Sequence, residues 1–311
     1  MINQTFDENE IWVVAVQVAT VWTSKESTRR IDEPGLLNPT DMDHWVTKLT
    51  TEQKTALCDE NRVQSQLLYG ETVEVTLIDG DWAQVVIPTQ PSNKDNRGYP
   101  GWVPLIQLEK VEKEYWDQSK SAAVISKKAW LEGDNGEKVM KLSYMTCLPV
   151  LGEHPRKIEV ATPNGTRILP NEVVHIYETK AGLEKKNGTA IVEAGEQFMD
   201  LAYFWGGMSS FGYDCSGFSY ATHKACGYQI PRDATEQAEA GEHVAYGDLL
   251  PGDLLFFAYE EGKGDLHHVG IYYGNGQMIH SRTNGKAVEI TNIADTVYEK
   301  ELCEMRRYWH E

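Results

Sequence analysis

Apolar and polar residues alternate through the first half of the chain. In "IWVVAVQVATVW", Val14, Val16 and Val18 stand against Ala15 and Gln17, the two-residue period of one strand. "ETVEVTLI", "DGDW" and "WAQVVIP" predict a hairpin, with Asp79-Gly80 offering the positive φ angles of its tight turn. "GYPGWVPLIQL" follows after the polar loop "TQPSNKDNRG". A weaker copy of the pattern comes later, in "TCLPVLG" and "KIEVATPNGTRILPNEVVHI". Each copy has a strand, a glycine-containing turn, a short strand, a proline and an apolar tail. Two approximate copies favour two small β-barrels over one sandwich. "TSKESTRRIDEPGLLNPTDMDHWVTKLTTEQKTALCDE" predicts a partly helical insertion in the first barrel.

The texture changes after the charged linker "ETKAGLEKKNGTA". "AIVEAGEQFMDLAYFWGG" has helical spacing through Ile191, Ala194, Phe198 and Leu201 and breaks at Gly206-Gly207. A second helix follows Asp214, and then strands dominate: "GDLLFFAY", "HVGIYYG", "QMIHSR" and "AVEI". The predicted architecture is therefore multidomain. Residues 1–112 form a first all-β barrel, 113–180 a second, and 181–311 an α+β domain with its helices packed on an antiparallel sheet.

Composition removes several function classes. The hydrophobic content of 41% and charged content of 24% are those of a globular protein. A net charge of −18, from 29 basic and 47 acidic side chains, leaves no basic footprint for nucleic acid. It also disfavours an anionic membrane or polymer as partner. No run of eighteen apolar residues spans a membrane. "MINQTFDENE" supplies acids where a secretion signal needs Lys or Arg, so the apolar segment after it is expected to be a mature strand. The 5 cysteines are odd in number and unclustered, which favours a reducing compartment. The expected location is the cytoplasm.

The chemistry concentrates in "FGYDCSGFSYATHKACG". Asp214 is a favourable helix N-cap and Gly227 a favourable residue just past the C-terminus. Cys215 thus sits at the positive end of a helix dipole, where thiolate is favoured and free N–H groups can hold an oxyanion. Small Ser216 and Gly217 leave space for a substrate. A thiol nucleophile needs a base, and the base an orienting group. In "LHHVGIYYGNGQMIHS", a three-residue "GNG" loop places Gly270 opposite His280, so that His268 and His280 share a face as diagonal neighbours. A two-residue Asn-Gly turn would put His280 on the other face. His267 points away as an exposed histidine. His223-x-x-Cys226 is an isolated half of a zinc pattern, so no metal or other cofactor is expected, and that helix presents His223 to solvent.

"SQLLYGETVEV" and "GWVP" resemble paired bacterial SH3-like domains. The order helix-then-sheet, with "YFWGG", "GYDCSGF", "PGDLLFF" and "HVGIYYG", resembles the papain-like NlpC-type cell-wall cysteine peptidases over roughly Gly195 to Tyr308. The resemblance implies Cys215 as nucleophile, His268 as base and His280 as orienting residue. It also implies Tyr203 near the oxyanion, Trp205 as a substrate wall, and Asp214 and Ser216 as partners of the substrate backbone. "PRDATEQ" matches a family loop usually written with two small hydroxyl residues; here they are Asp233 and Ala234. A carboxylate beside a peptide cleft suits a free α-ammonium.

The whole chain resembles murein-peptide endopeptidases with two SH3-like domains before the peptidase domain. That likeness implies cleavage between γ-D-glutamate and a diamino acid in stem peptides with a free N-terminal L-Ala, as in murein peptide recycling. Tyr99 and Glu60 are the first barrel's candidates for the amine. Two rivals stay open: an acyltransferase or amidase on the same frame, and a non-catalytic binder of wall peptides.

Overall fold

The computed structural model describes residues 8–310. Its first unit is a seven-stranded antiparallel sheet in the order β3-β2-β6-β5-β4-β1-β7. These strands are β1 (Glu10–Val14), β2 (Val18–Trp22), β3 (Val63–Leu68), β4 (Thr72–Asp79), β5 (Trp82–Ile87), β6 (Tyr99–Pro104) and β7 (Leu108–Glu112). After the helical turn α3 (Lys113–Trp116) the plan repeats in β8 (Lys120–Val124), β9 (Lys128–Glu132), β10 (Lys138–Ser143), β11 (Cys147–Glu153), β12 (Lys157–Thr162), β13 (Gly165–Pro170) and β14 (Val174–Glu178). The second order, β10-β9-β13-β12-β11-β8-β14, is the first shifted by one unit, so the faint sequence echo is a true duplication of topology. Each sheet coils round an apolar core but has edges rather than closing as a hydrogen-bonded ring.

Two local readings are corrected. "IWVVAVQVATVW" is not one strand but β1 and β2, which occupy different places in the sheet and separate at Ala15–Gln17. Val13, Val14, Val16, Val18, Ala19 and Val21 are all fully buried, so the alternation did not report a single inner face. The β4–β5 turn falls on Gly80-Asp81, because Asp79 pairs with Trp82; Gly80, at φ 62°, supplies the positive angle.

The insertion between β2 and β3 carries α1 (Met42–Lys48) and α2 (Thr51–Asp59). Its Trp45 and Leu57 share one core with Val63 of β3 and with Phe204 and Phe211 of the third unit. Trp45 meets Phe204 edge-on, with ring centroids 5.1 Å apart. Burying one such aromatic contributes roughly 1.5–3 kcal/mol, so this shared core holds the first unit firmly against the third.

The third unit runs α4 (Gly188–Glu196), β15 (Met208–Ser209), β16 (Gly212–Tyr213), α5 (Cys215–Ala225), α6 (Ala234–Glu239), β17 (Glu242–His243), β18 (Leu254–Ala258), the tight turn α7 (Tyr259–Gly262), β19 (Leu266–Gly274), β20 (Gln277–Ser281), β21 (Val288–Asn292), α8 (Val297–Glu301) and β22 (Leu302–Arg307). Its main sheet has the order β17-β22-β18-β19-β20-β21, and α4 and α5 pack on it. Helix α4 stops well before Gly206-Gly207. Asp200 and Tyr203 donate their backbone N–H groups to Val288 and Lys286 carbonyls, and this tertiary pairing overrides the helical spacing.

Candidate active site

Asp214 caps α5, accepting from the Gly217 N–H at 2.6 Å, which places Cys215 as the first helical residue. Asp214 is itself held by Arg232, whose Nη2 lies 2.7 Å from Oδ2. Arg232 also donates to Ser216 Oγ at 2.8 Å and, across the domain boundary, to Ser65 Oγ at 3.0 Å. The Asp214 and Ser216 side chains thus have partners within the protein, and Arg232, only 1% exposed, is the clamp that sequence reading missed. Its signal was its place in "PRDATEQ", directly after Ile230-Pro231. The small size of Gly217 serves packing rather than a substrate, since a Cβ there would stand 2.1 Å from the Gly207 carbonyl oxygen.

The helix start does not make Cys215 a resting thiolate. Cys215 is 8% exposed, and burial, helped by the Asp214 carboxylate, pushes the thiol up to about 12. The Val269 and Ser216 N–H groups and Arg232 pull the other way and lose. A rise from 9.0 to about 12 disfavours the anion by about 4 kcal/mol. A helix terminus returns about 0.3–1 kcal/mol. The resting group is the thiol.

The hairpin that brings the histidines together is built differently from the sequence expectation. Gly274 pairs with Gln277, so the turn is the two-residue Asn275-Gly276, with φ of 54° and 74°. A β-bulge at Tyr273 then restores the register, giving Ile271 opposite Ile279. His268 Nε2 and His280 Nδ1 are 2.6 Å apart. Gly270 leaves room beside the pair: a Cβ there would lie 2.7 Å from Met278 Sδ, so that side chain would have to move, and 3.4 Å from His280 Cβ.

The polarity of this pair is set further along β21. His280 Nε2 is 3.1 Å from Thr291 Oγ1, and Thr291 donates to Glu289 Oε1 at 3.1 Å. Glu289 can only accept, so Thr291 accepts from His280 Nε2–H, His280 Nδ1 accepts from His268 Nε2–H, and His268 Nδ1 keeps its lone pair. Glu289 is fixed in turn by Arg282 at 2.8 Å. Glu289 lies opposite His280, and Thr291, two residues on along β21, lies opposite Met278, so alternation in "AVEITN" could have found them on one face.

Burial holds His268 neutral to well below the usual imidazole range, reinforced by His280, His267 and Arg282. Burial also lowers His280 to about 4, with Glu289 opposing and Arg282 assisting. His223 is not presented to solvent: it is fully buried, donates Nδ1–H to the Ser219 carbonyl at 2.8 Å, and is lowered by burial to about 4. Between pH 6.5 and about 4 the unfolded chain binds protons that the fold refuses, so stability falls as pH drops through that window. His223 and His280 each contribute about 3 kcal/mol to the loss. The melting temperature at pH 4.5 is expected about 10 °C below its pH 7 value, and equal values would contradict the burial of neutral imidazoles.

Cys215 and His268 line one cavity of about 820 Å³ between the first unit and the third. Tyr203, Trp205, Asp214, Ser216, Asp233, Ala234 and Tyr99 line it too. The Tyr203 phenol is kept protonated by burial and then by Cys215. Trp205 donates its indole N–H to the Val63 carbonyl at 3.1 Å, tying this wall to the first sheet. Tyr99 reaches across to Asp233 at 3.0 and 3.1 Å. Glu60 is absent from the cavity lining: it caps the end of α2 and accepts from Arg62 Nε at 2.6 Å, while Cys58 and Asp59 line the cavity instead. One residue of helical rotation makes that difference. Gln64 and Lys94 also line this end and carried no sequence signal. His267 is half-buried rather than exposed, stacked on Tyr259 with centroids 4.1 Å apart and paired with Glu301 at 3.1 Å.

A buried thiol at a helix start, an imidazole pair on the facing sheet and a peptide-sized cleft define a cysteine peptidase of papain-like plan. Residues 200–307 match the NlpC/P60 family and residues 124–177 the YKFC SH3b2 domain. The gamma-D-glutamyl-L-lysine dipeptidyl-peptidase of Bacillus subtilis (strain 168) is 45% identical over 94% of this chain and 97% of its own length. Its Bacillus cereus (strain ATCC 10987 / NRS 248) namesake is 36% identical over 95% and 90%. A crystal structure of an NlpC/P60 family protein from Bacillus cereus superposes with a TM-score of 0.92 at 34% identity, covering 96% of this chain and all of that one. The chain belongs to the NlpC/P60 family.

Proposed function

We propose that this cysteine peptidase cleaves the bond between γ-D-glutamate and an L-diamino acid in murein stem peptides with a free N-terminal L-Ala, releasing L-Ala-γ-D-Glu. Cys215 Sγ attacks the γ-carbonyl of D-glutamate as its proton passes to His268 Nδ1, so the costly thiolate never accumulates. The Cys215 end of α5 and Tyr203 face the developing oxyanion. His268 then protonates the leaving amine of the diamino acid, and a water deprotonated by the same imidazole hydrolyses the thioester. His280, anchored through Thr291 and Glu289, keeps the His268 lone pair on the sulfur side.

The observation that carries this reading is the extent of the cavity: Asp233 and Tyr99 stand at the end supplied jointly by the first sheet and α6, where a short peptide's amine would arrive. The names of the two full-length Bacillus relatives support the γ-D-glutamyl linkage and make L-lysine the first diamino acid to test. A cytoplasmic role in recycling small murein peptides suits a surface of charge −18 better than adhesion to an anionic wall.

Incubation with L-Ala-γ-D-Glu-L-Lys and with the diaminopimelate analogue, followed by product analysis, tests the assignment. Free dipeptide plus free diamino acid is the expected result. Release of alanine alone, or an acyl group carried to an added amine without hydrolysis, would assign a different reaction.

A further inference from the structure

An ammonium already stands in the pocket proposed for the substrate's amine. Lys94 Nζ lies 2.9 Å from Asp233 Oδ2 and donates to Gln64 Oε1 at 3.1 Å. It also donates to the Tyr99 phenol oxygen and sits 4.1 Å from the centroid of that ring. Carboxylate, amide oxygen and phenol oxygen are three acceptors for the three N–H donors of one primary ammonium. The aromatic face adds a cation–π contact.

The backbone that carries Lys94 is pinned. Ser92 Oγ and the Asn93 N–H both donate to Glu236 Oε1, at 3.1 and 2.8 Å. The Pro91 carbonyl accepts from the Arg232 N–H at 3.1 Å, and Ser92 bridges to Asp95. The loop is thus held against α6, leaving the Lys94 side chain as the part free to move. That side chain is 41% exposed, so water is at hand to receive its charge.

We propose that Lys94 is an internal occupant of the amine pocket, which the substrate's α-ammonium must displace from Asp233 before the cleft accepts a peptide. This inference rests on the amine-pocket reading above. A free amine takes over the acceptors that Lys94 gives up, so the exchange conserves charge. An N-acylated peptide offers no cation, and displacing Lys94 for it would leave Asp233 without its direct ion-pair partner, with only the longer-range attraction of Arg232. Lys94 therefore lowers affinity for the true substrate by the fraction of time it holds the pocket, and penalises blocked peptides more.

Calorimetric binding of L-Ala-γ-D-Glu to Cys215→Ala, Cys215→Ala/Lys94→Met and Cys215→Ala/Lys94→Arg tests it, with N-acetyl-L-Ala-γ-D-Glu as second ligand. Lys94→Met is expected to tighten the free dipeptide about 3- to 10-fold, with Lys94→Arg staying near the parent. In turnover, Lys94→Met on otherwise intact enzyme raises kcat/KM through a lower KM. Unchanged or weaker binding in Lys94→Met overturns the proposal, the second outcome meaning that Lys94 contacts the ligand itself. Equal binding of the acetylated and free dipeptides to Cys215→Ala is a separate result, which removes the amine pocket and this inference with it.

Discussion

Cys215→Ala is expected to abolish release of L-Ala-γ-D-Glu, with kcat/KM falling by about 10⁴-fold or more. Without the Cys215 sulfur at the start of α5, beside the His268 side of the cleft, the proposed thioester cannot form there. His268→Ala should cost nearly as much. The resting thiol is held near 12 by burial, so without an acceptor for its proton the sulfur is inert at neutral pH. The double variant should lose no more than either single one, because the two groups act as a unit. His280→Ala leaves the His268 lone pair free to turn, and its loss should be smaller, about 10- to 100-fold. Fully additive losses for Cys215 and His268 would show that they serve separate steps.

Asp233→Asn is expected to lower kcat/KM for the free-amine peptide by about 30- to 150-fold, the equivalent of a charge-assisted hydrogen bond of about 2–3 kcal/mol. N-acetylation of the substrate's alanine should cost wild type at least as much. The two effects should overlap: in Asp233→Asn the ratio of free to acetylated rates shrinks, since the group that reads the charge is gone. A ratio equal to that of wild type would place the amine elsewhere in the cleft. Tyr99 stays protonated next to Asp233, kept so first by burial and then by the carboxylate, and can therefore donate to Asp233 throughout.

Local signals made much of this legible in the sequence. Asp214 and Gly227 marked both ends of α5. The shared face of His268 and His280 was expected from a three-residue loop, whereas the structure reaches the same register through a two-residue turn and a bulge at Tyr273. The repeated strand–turn–strand–proline pattern announced two similar sheets, and the structure gives both the same strand order. What escaped depends on contacts distant in sequence. Arg232 reaches Asp214 and Ser65 only in the folded chain, and Gln64 and Lys94 enter the cleft only because the first sheet docks there. The bulge at Tyr273 has no residue signature strong enough to separate it from a longer loop. The state of the thiol was misread because a helix start is visible in sequence, whereas the burial that outweighs it is not.

Rapid quenching of wild-type enzyme during turnover of L-Ala-γ-D-Glu-L-Lys, followed by intact-mass and peptide analysis, addresses the chemistry at its core. The expected species carries the L-Ala-γ-D-glutamyl group as a thioester on the peptide containing Cys215, and it disappears on chase. The same acyl mass on another residue, or steady release of dipeptide by Cys215→Ala, would contradict nucleophilic attack by Cys215.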